Sequence, residues 1–299
     1  MFSRSSWLHL RIPFSYFLLP IYLFSLSLSP NFNGPRMGWV FLIMHFFLYP
    51  ASNGFNSYFD KDEKSIGGLK NPPPVSKGLY YLSLLFDVIA IVLGFLKISL
   101  TFAIMLLIYG LVSKAYSHPS IRLKKYSLVG WIITGLFQGI FTFLMCYVGV
   151  NNFSIEDSLQ NSVLFAGTLT TIMLWANYPL TQVYQHEEDL KRGDITLSLK
   201  LGIRGTFYFS ALCFAIAVAG FIIFFQQFFD GNYAILFLLA LSPVLLFFVY
   251  WFSRVYRDEK YADHGHTMWL NYISATCLNA FFIYLFLDSS QVLQVIGKY

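Results

Sequence analysis

Asn53-Gly-Phe-Asn56-Ser-Tyr-Phe-Asp60-Lys-Asp62-Glu63-Lys64 and Thr181-Gln182-Val-Tyr184-Gln185-His186-Glu187-Glu188-Asp189-Leu-Lys191-Arg192-Gly193-Asp194 are two polar stretches that each close a long apolar run. On a helix, residues at i, i+3 and i+7 share a face. Asn53, Asn56, Asp60 and Glu63 keep that spacing, as do Gln182, Gln185 and Asp189, with Thr181 and Glu188 beside the second stripe. Amides and carboxylates at the edge of an apolar helix are tolerated mainly where they hold something charged. Two such stripes facing each other predict an oxygen-lined pocket suited to Mg²⁺, which binds through one or two carboxylates plus substrate phosphates. His and Cys are too sparse here to favour a transition metal. The plainer reading, a solvated helix end, serves Asp62, Glu63, Glu187 and Asp194 equally well. It serves Asp60 and Asp189 less well, because they sit on amide-bearing faces.

The rest of the chain sets the solvent. It is 57% hydrophobic and 12% charged over 299 residues, with 33 Phe and 20 Tyr, which is too apolar for a soluble domain. Its uninterrupted apolar runs approach the length that spans a bilayer, and barrel-type alternation is absent. An all-α integral membrane protein follows, read as one transmembrane domain over 1–299. Apolar windows predict about nine spans, near 12–29, 37–58, 77–95, 98–113, 127–150, 159–184, 205–228, 233–252 and 267–288. The weakest break lies around Phe95 to Ser99, where Lys97 is the only charge. The first run has Arg4 and Arg11 ahead of it, as in a secretory signal, but Ser25 to Pro30 offers no small-residue cleavage site.

With the amino terminus on the cytoplasmic side, all but Arg36, Lys97 and Lys298 of the 20 basic residues fall in cytoplasmic segments. That bias predicts a cytoplasmic amino terminus, an external carboxy terminus and both polar stretches at the cytoplasmic surface. A bacterial inner membrane is the expected setting. The net charge of +5 therefore reflects loops and does not point to nucleic acid. Cys146, Cys213 and Cys277 lie in separate apolar runs without CxxC spacing and read as small buried hydrophobes.

The polar stretch after span two recurs after span six, which suggests two similar four-helix halves plus one helix. At these residues the chain resembles the UbiA superfamily of intramembrane prenyltransferases. Members carry Asn-Asp-x-x-Asp-x-x-x-Asp after the second helix and Asp-x-x-x-Asp after the sixth. The tract Gly193-Asp-Ile-Thr196-Leu-Ser-Leu-Lys-Leu-Gly202 and the loop Tyr116-Ser117-His-Pro119-Ser-Ile-Arg122-Leu-Lys124 extend the likeness over essentially the whole chain. Asn56, Asp60 and Asp189 match, whereas Ser57, Lys64 and Gln185 stand where acids are usual, which leaves the number of metal ions open.

The resemblance implies a helical bundle with a central cavity open to the cytoplasmic side. It also implies Mg²⁺-dependent transfer of a prenyl group from an isoprenyl diphosphate to a lipophilic, commonly aromatic, acceptor. Asp60, Asp189, Asn56 and Glu63 would then hold metal. Asn53, Asn56, Lys64, Lys114, Tyr116, Arg122, Lys124, Gln185 and Arg192 would hold substrate. Cations neutralise the diphosphate, the allylic cation is shielded by aromatic faces, and a carboxylate takes the released proton.

Asp87, the one acid deep in an apolar run, is a third catalytic candidate or a bond between helices. His186 could orient substrate, and Asp263-His264-Gly-His266 reads as a solvated loop. Tyr109, Tyr116, Tyr178 and Tyr184 read as an interfacial belt, Tyr116 being the one expected to touch substrate. A rival class also fits the departures: a non-catalytic protein that binds or transports a polyprenyl or other anionic lipid. A CDP-alcohol phosphotransferase is disfavoured, since its Asp-Gly-x-x-Ala-Arg signature is missing.

Overall fold

The computed structural model describes residues 3–290, so the expectation placing Lys298 outside the membrane lies beyond the described residues. Eight helices among them are long and apolar enough to cross a membrane. They are α1 (Arg4–Ser27), α3 (Gly78–Lys97), α4 (Leu100–Ser117), α5 (Ser127–Asn151), α6 (Asn161–Gln182), α7 (Leu197–Phe228), α8 (Asn232–Arg257) and α9 (His264–Ser289). The expected second span is helical too. It runs as Gly34–Leu42, a π-helical turn Ile43–Leu48, and Tyr49–Asp60, together called α2. Its last turns carry the first motif's amides, so it falls outside the strongly apolar set and the count of nine is not met by hydropathy alone. The protein is an integral membrane helical bundle.

Local chemistry explains the boundaries. The break between α3 and α4 falls at Ile98, and the Ser99 hydroxyl caps α4 by accepting from the Phe102 amide at 3.1 Å. Asp263 caps α9 by accepting from the His266 amide at 2.9 Å. Asp263-His264-Gly-His266 is therefore a helix start, not a solvated loop. α5 and α6 approach closely at Gly139, where a Cβ would stand 2.6 Å from the Thr171 Cα.

Many of the aromatic side chains build the core of the bundle. Phe24, Phe143, Phe221, Phe224, Phe225, Phe237, Phe281 and Phe282 pack into one buried cluster from α1, α5, α7, α8 and α9. Leu96, Leu212 and Leu246 stay exposed on the outer face, as lipid contact requires.

One tie at the opposite end of the bundle positions the site. Ile195 and Thr196 pair in parallel with Tyr126 and Ser127. This brings the segment after the second motif against the α4–α5 loop that holds Arg122 and Lys124.

Candidate active site

Helix α2 delivers Asn53, Asn56 and Asp60 from its final turns and stops at Lys61, which is left-handed (φ 49°). That stop removes Glu63 from the stripe: the helical spacing ends three residues before it, and Glu63 is exposed outside the cavity. The second stretch is not one helix either. Regular α6 passes at Tyr178-Pro179 into a tighter turn through Gln182, and a short helix restarts at His186–Arg192. Gln182, Gln185 and Asp189 nevertheless reach the same space as Asn53, Asn56 and Asp60.

That space is a cavity of about 290 Å³. Asp60 and Asp189, from opposite halves of the chain, both line it, with Asp62, Asp194, Lys124, Arg192 and Tyr116. Its charges are tightly paired. Lys124 contacts Asp60 and donates to Asn56 Oδ1 at 3.1 Å. Arg122 grips Asp194 with two hydrogen bonds of 2.7 Å and reaches Asp60 at 3.2 Å. Arg192 contacts Asp62, bonds Asp189 at 2.9 Å, and passes 3.5 Å from Asp194. Arg122 is left-handed as well (φ 45°), so two non-glycine residues in a sparsely populated conformation, Lys61 and Arg122, flank Asp60.

Burial and pairing set the protonation states. Burial pushes the Asp189 carboxyl up to about 6, against the pull of Arg192. Burial and the Asp60 charge likewise raise Asp62, with Arg192 opposing. Burial works against the charge on Arg192, yet Asp62 and Asp60 hold its pKa above the usual arginine value.

Other expected site residues lie elsewhere. Asp87 and Lys114 pair with each other between α3 and α4, with the Lys114 ammonium 5.1 Å from the Phe55 ring centre. Neither lines the cavity. Lys64 is also outside it, exposed and paired with Glu187. His186 bonds Ser198 at 2.8 Å and does not line the cavity.

Arg11, read in the sequence as a leader charge, lines the cavity and donates to the carbonyls of Gly67 and Asn53 at 3.0 and 3.3 Å. The signal available was a charge inside an apolar run. Tyr116 and Tyr178 both line the cavity with their hydroxyls in contact, so they are not merely an interfacial belt.

A second, apolar cavity of about 660 Å³ lies between α1, α6, α7, α8 and α9. The two cavities share Phe17, Leu174, Asn177 and Asn271. At that junction Asn177 donates to Asn271 at 3.1 Å, joining α6 to α9.

The model of the UbiA prenyltransferase family matches residues 17–273. The chain belongs to that family. Among solved structures, an Archaeoglobus fulgidus UbiA homologue bound to DMAPP and Mg²⁺ matches with a TM-score of 0.67 and 16% identity, over 95% of this chain and 98% of that one. The same homologue bound to GPP and Mg²⁺ matches at 0.64 and 14%, over 96% and 99%. A digeranylgeranylglyceryl phosphate synthase structure matches at 0.60 and 20%, over 95% and 98%. At such identities these likenesses establish the fold. A search of curated proteins returns no match.

The donor set suits Mg²⁺ in this UbiA-family cavity. Asp60, Asp62, Asp189 and Asn56 supply hard oxygens in one space. Further buried oxygens of its lining, Gln182 Oε1 and Ser57 Oγ among them, have no protein partner. Among the described residues no three His, Cys, Asp or Glu side chains form a ready cage.

Proposed function

We propose that this protein transfers a prenyl group from an isoprenyl diphosphate to a lipophilic acceptor inside the membrane, with Mg²⁺ as cofactor. One observation carries the reading: a carboxylate- and cation-lined cavity adjoins an apolar one through Asn177 and Asn271. A prenyl diphosphate has that same division, a charged head and a hydrocarbon tail.

Lys124, Arg192 and Arg11, which line the cavity, would bind phosphate oxygens, with Arg122 holding Asp194 and Asp60 behind them. Asp60 and Asp189, with Asn56, would hold Mg²⁺, which when bound neutralises diphosphate charge and makes it a better leaving group. Tyr116, Tyr178 and Phe137 offer ring faces to the cation that ionisation leaves behind. The apolar walls of the larger cavity take the tail and exclude water. The bias of Lys and Arg in the loops supports a site that opens on the cytoplasmic face, in keeping with a bacterial inner membrane.

The test uses purified protein in lipid nanodiscs with Mg²⁺, radiolabelled prenyl diphosphates and candidate acceptors. Diphosphate release should require an acceptor, and Asp60→Ala and Asp189→Ala should each abolish it. Full transfer by both variants would remove the site. The binding-or-transport reading keeps one supporting observation, the pairing of the cavity carboxylates with the chain's own cations. It requires prenyl-diphosphate binding that survives magnesium chelation and yields no product.

A further inference from the structure

The carboxylates around the motif cavity are already held by cations of the chain. Asp60, Asp62, Asp189 and Asp194 are four acids sharing three partners, Arg122, Lys124 and Arg192. All of the pairs are largely desolvated, with side-chain exposures of 17% or less. Removing either partner from such a pair is strongly unfavourable, whereas exchanging it for another ion of the same sign keeps each charge matched.

A second observation points to a ligand. Gln182 and Ser57 are 7% and 2% exposed and line the cavity, yet Gln182 Oε1 and Ser57 Oγ have no protein partner. Buried polar atoms are nearly always engaged, and ones facing a cavity are engaged by whatever enters it.

We propose that the cavity loads by exchanging ion partners. The oxygens of a diphosphate take Lys124 and Arg192, and Asp60, Asp62 and Asp189, released from them, become donors to a divalent cation. The inference rests on the prenyl-diphosphate reading and adds an order of events to it. While Lys124 and Arg192 remain on the carboxylates, three cations offset most of the charge of the four acids and a free divalent cation gains little. Arg192 is the central element, because it touches Asp62 of the first motif and Asp189 of the second. Coupling between two ligands is reciprocal, so each tightens the other by the same factor.

The experiment uses the full chain in nanodiscs, with Mn²⁺ as the metal probe followed by electron paramagnetic resonance. Inorganic pyrophosphate is the anion probe, followed by calorimetry. Pyrophosphate should tighten Mn²⁺ by about tenfold or more, and Mn²⁺ should tighten pyrophosphate equally. Arg192→Gln should move the two affinities in opposite directions: Mn²⁺ alone binds about tenfold tighter and pyrophosphate about tenfold weaker. A merely structural Arg192 would weaken both. Lys124→Gln reads the same exchange at Asp60, and it decides the matter where Arg192→Gln does not fold.

Equal Mn²⁺ affinity with and without pyrophosphate overturns the exchange, as does a loss of Mn²⁺ affinity in both variants; prenyl transfer that persists then leaves the functional reading standing. Failure to bind pyrophosphate or Mn²⁺ in any combination removes the functional reading as well.

Discussion

Two buried acid–base clusters, one at Asp60 and Asp189 and the other at Asp87, differ chiefly in what lies next to them. Asp87 and Lys114 form a pair enclosed between α3 and α4, with Phe55 over the ammonium. Asp60 and Asp189 meet the same kinds of partner, Lys124 and Arg192, but on the wall of a cavity. A carboxylate within an apolar helix is a functional candidate by default, and by that rule the two are equals. Access separates them: one pair lines neither cavity, whereas the other adjoins space that polar groups of both motifs share.

The largest expected effect breaks or upholds this contrast directly. Asp60→Asn and Asp189→Asn should each lower the rate of prenyl transfer by about 100-fold or more, the scale for losing a group that acts on developing charge. Asp87→Asn should leave the rate per folded molecule close to that of the parent. Radiolabel transfer normalised to the folded fraction, read by size-exclusion profile, measures both. A rate loss at Asp87 matching that at Asp60 would dissolve the distinction.

Next in size is a stability effect confined to the enclosed pair. Asp87→Leu leaves the Lys114 charge buried alone and should cost about 3–5 kcal/mol, whereas Asp87→Leu with Lys114→Met should recover most of that loss. Thermal unfolding in detergent compares the three proteins. If the double variant is no better than the single one, the pair does more than neutralise itself.

The sequence and the structure agree where physics is local and additive. Apolar runs locate the helices, and even the doubtful break near Lys97 falls where expected, because the Ser99 hydroxyl can cap α4. Asp60 was legible because amides preceded it at helical spacing; Asp189 was found by the same rule although its amides stand on a broken helix. Glu63 was misplaced for the same reason that Asp60 was found: the spacing rule assumes the helix continues, and Lys61 ends it. For Asp62 and Asp194 the solvated-end reading stood level with the functional one, because nothing in a linear pattern says that Arg192 and Arg122 fold back over them. Lys114 was expected at substrate, but its partner lies on the neighbouring helix, and pairing across helices has no signature in one sequence. Arg11 was lost to a stronger pattern, the leader-like charge before an apolar run.

A moderate effect belongs to the junction between the cavities. Asn271→Phe places a ring where Asn271 meets Asn177 and both cavities share their lining. Transfer from a long prenyl diphosphate should fall by about tenfold in kcat/KM, and that from dimethylallyl diphosphate should change far less. Equal losses for both donors would show that the tail does not pass this point.

The smallest effect concerns Lys64, which stands where the family usually has an acid and could have met phosphate. The structure puts its side chain 53% exposed, on a Glu187 side chain that is 62% exposed, with neither residue lining the cavity. Ion pairs in water are screened, and holding two long side chains together costs entropy, so they contribute little. Lys64→Ala should therefore leave both the melting temperature and kcat/KM within experimental scatter of the parent at physiological salt. Lys124→Ala, which removes an ammonium that contacts Asp60 in the cavity, should lower kcat/KM sharply. A drop at Lys64 approaching that at Lys124 would mean that the loop after α2 folds inward once substrate is present. The contrast between enclosed, cavity-facing and exposed charges would then have to be drawn on the loaded protein instead.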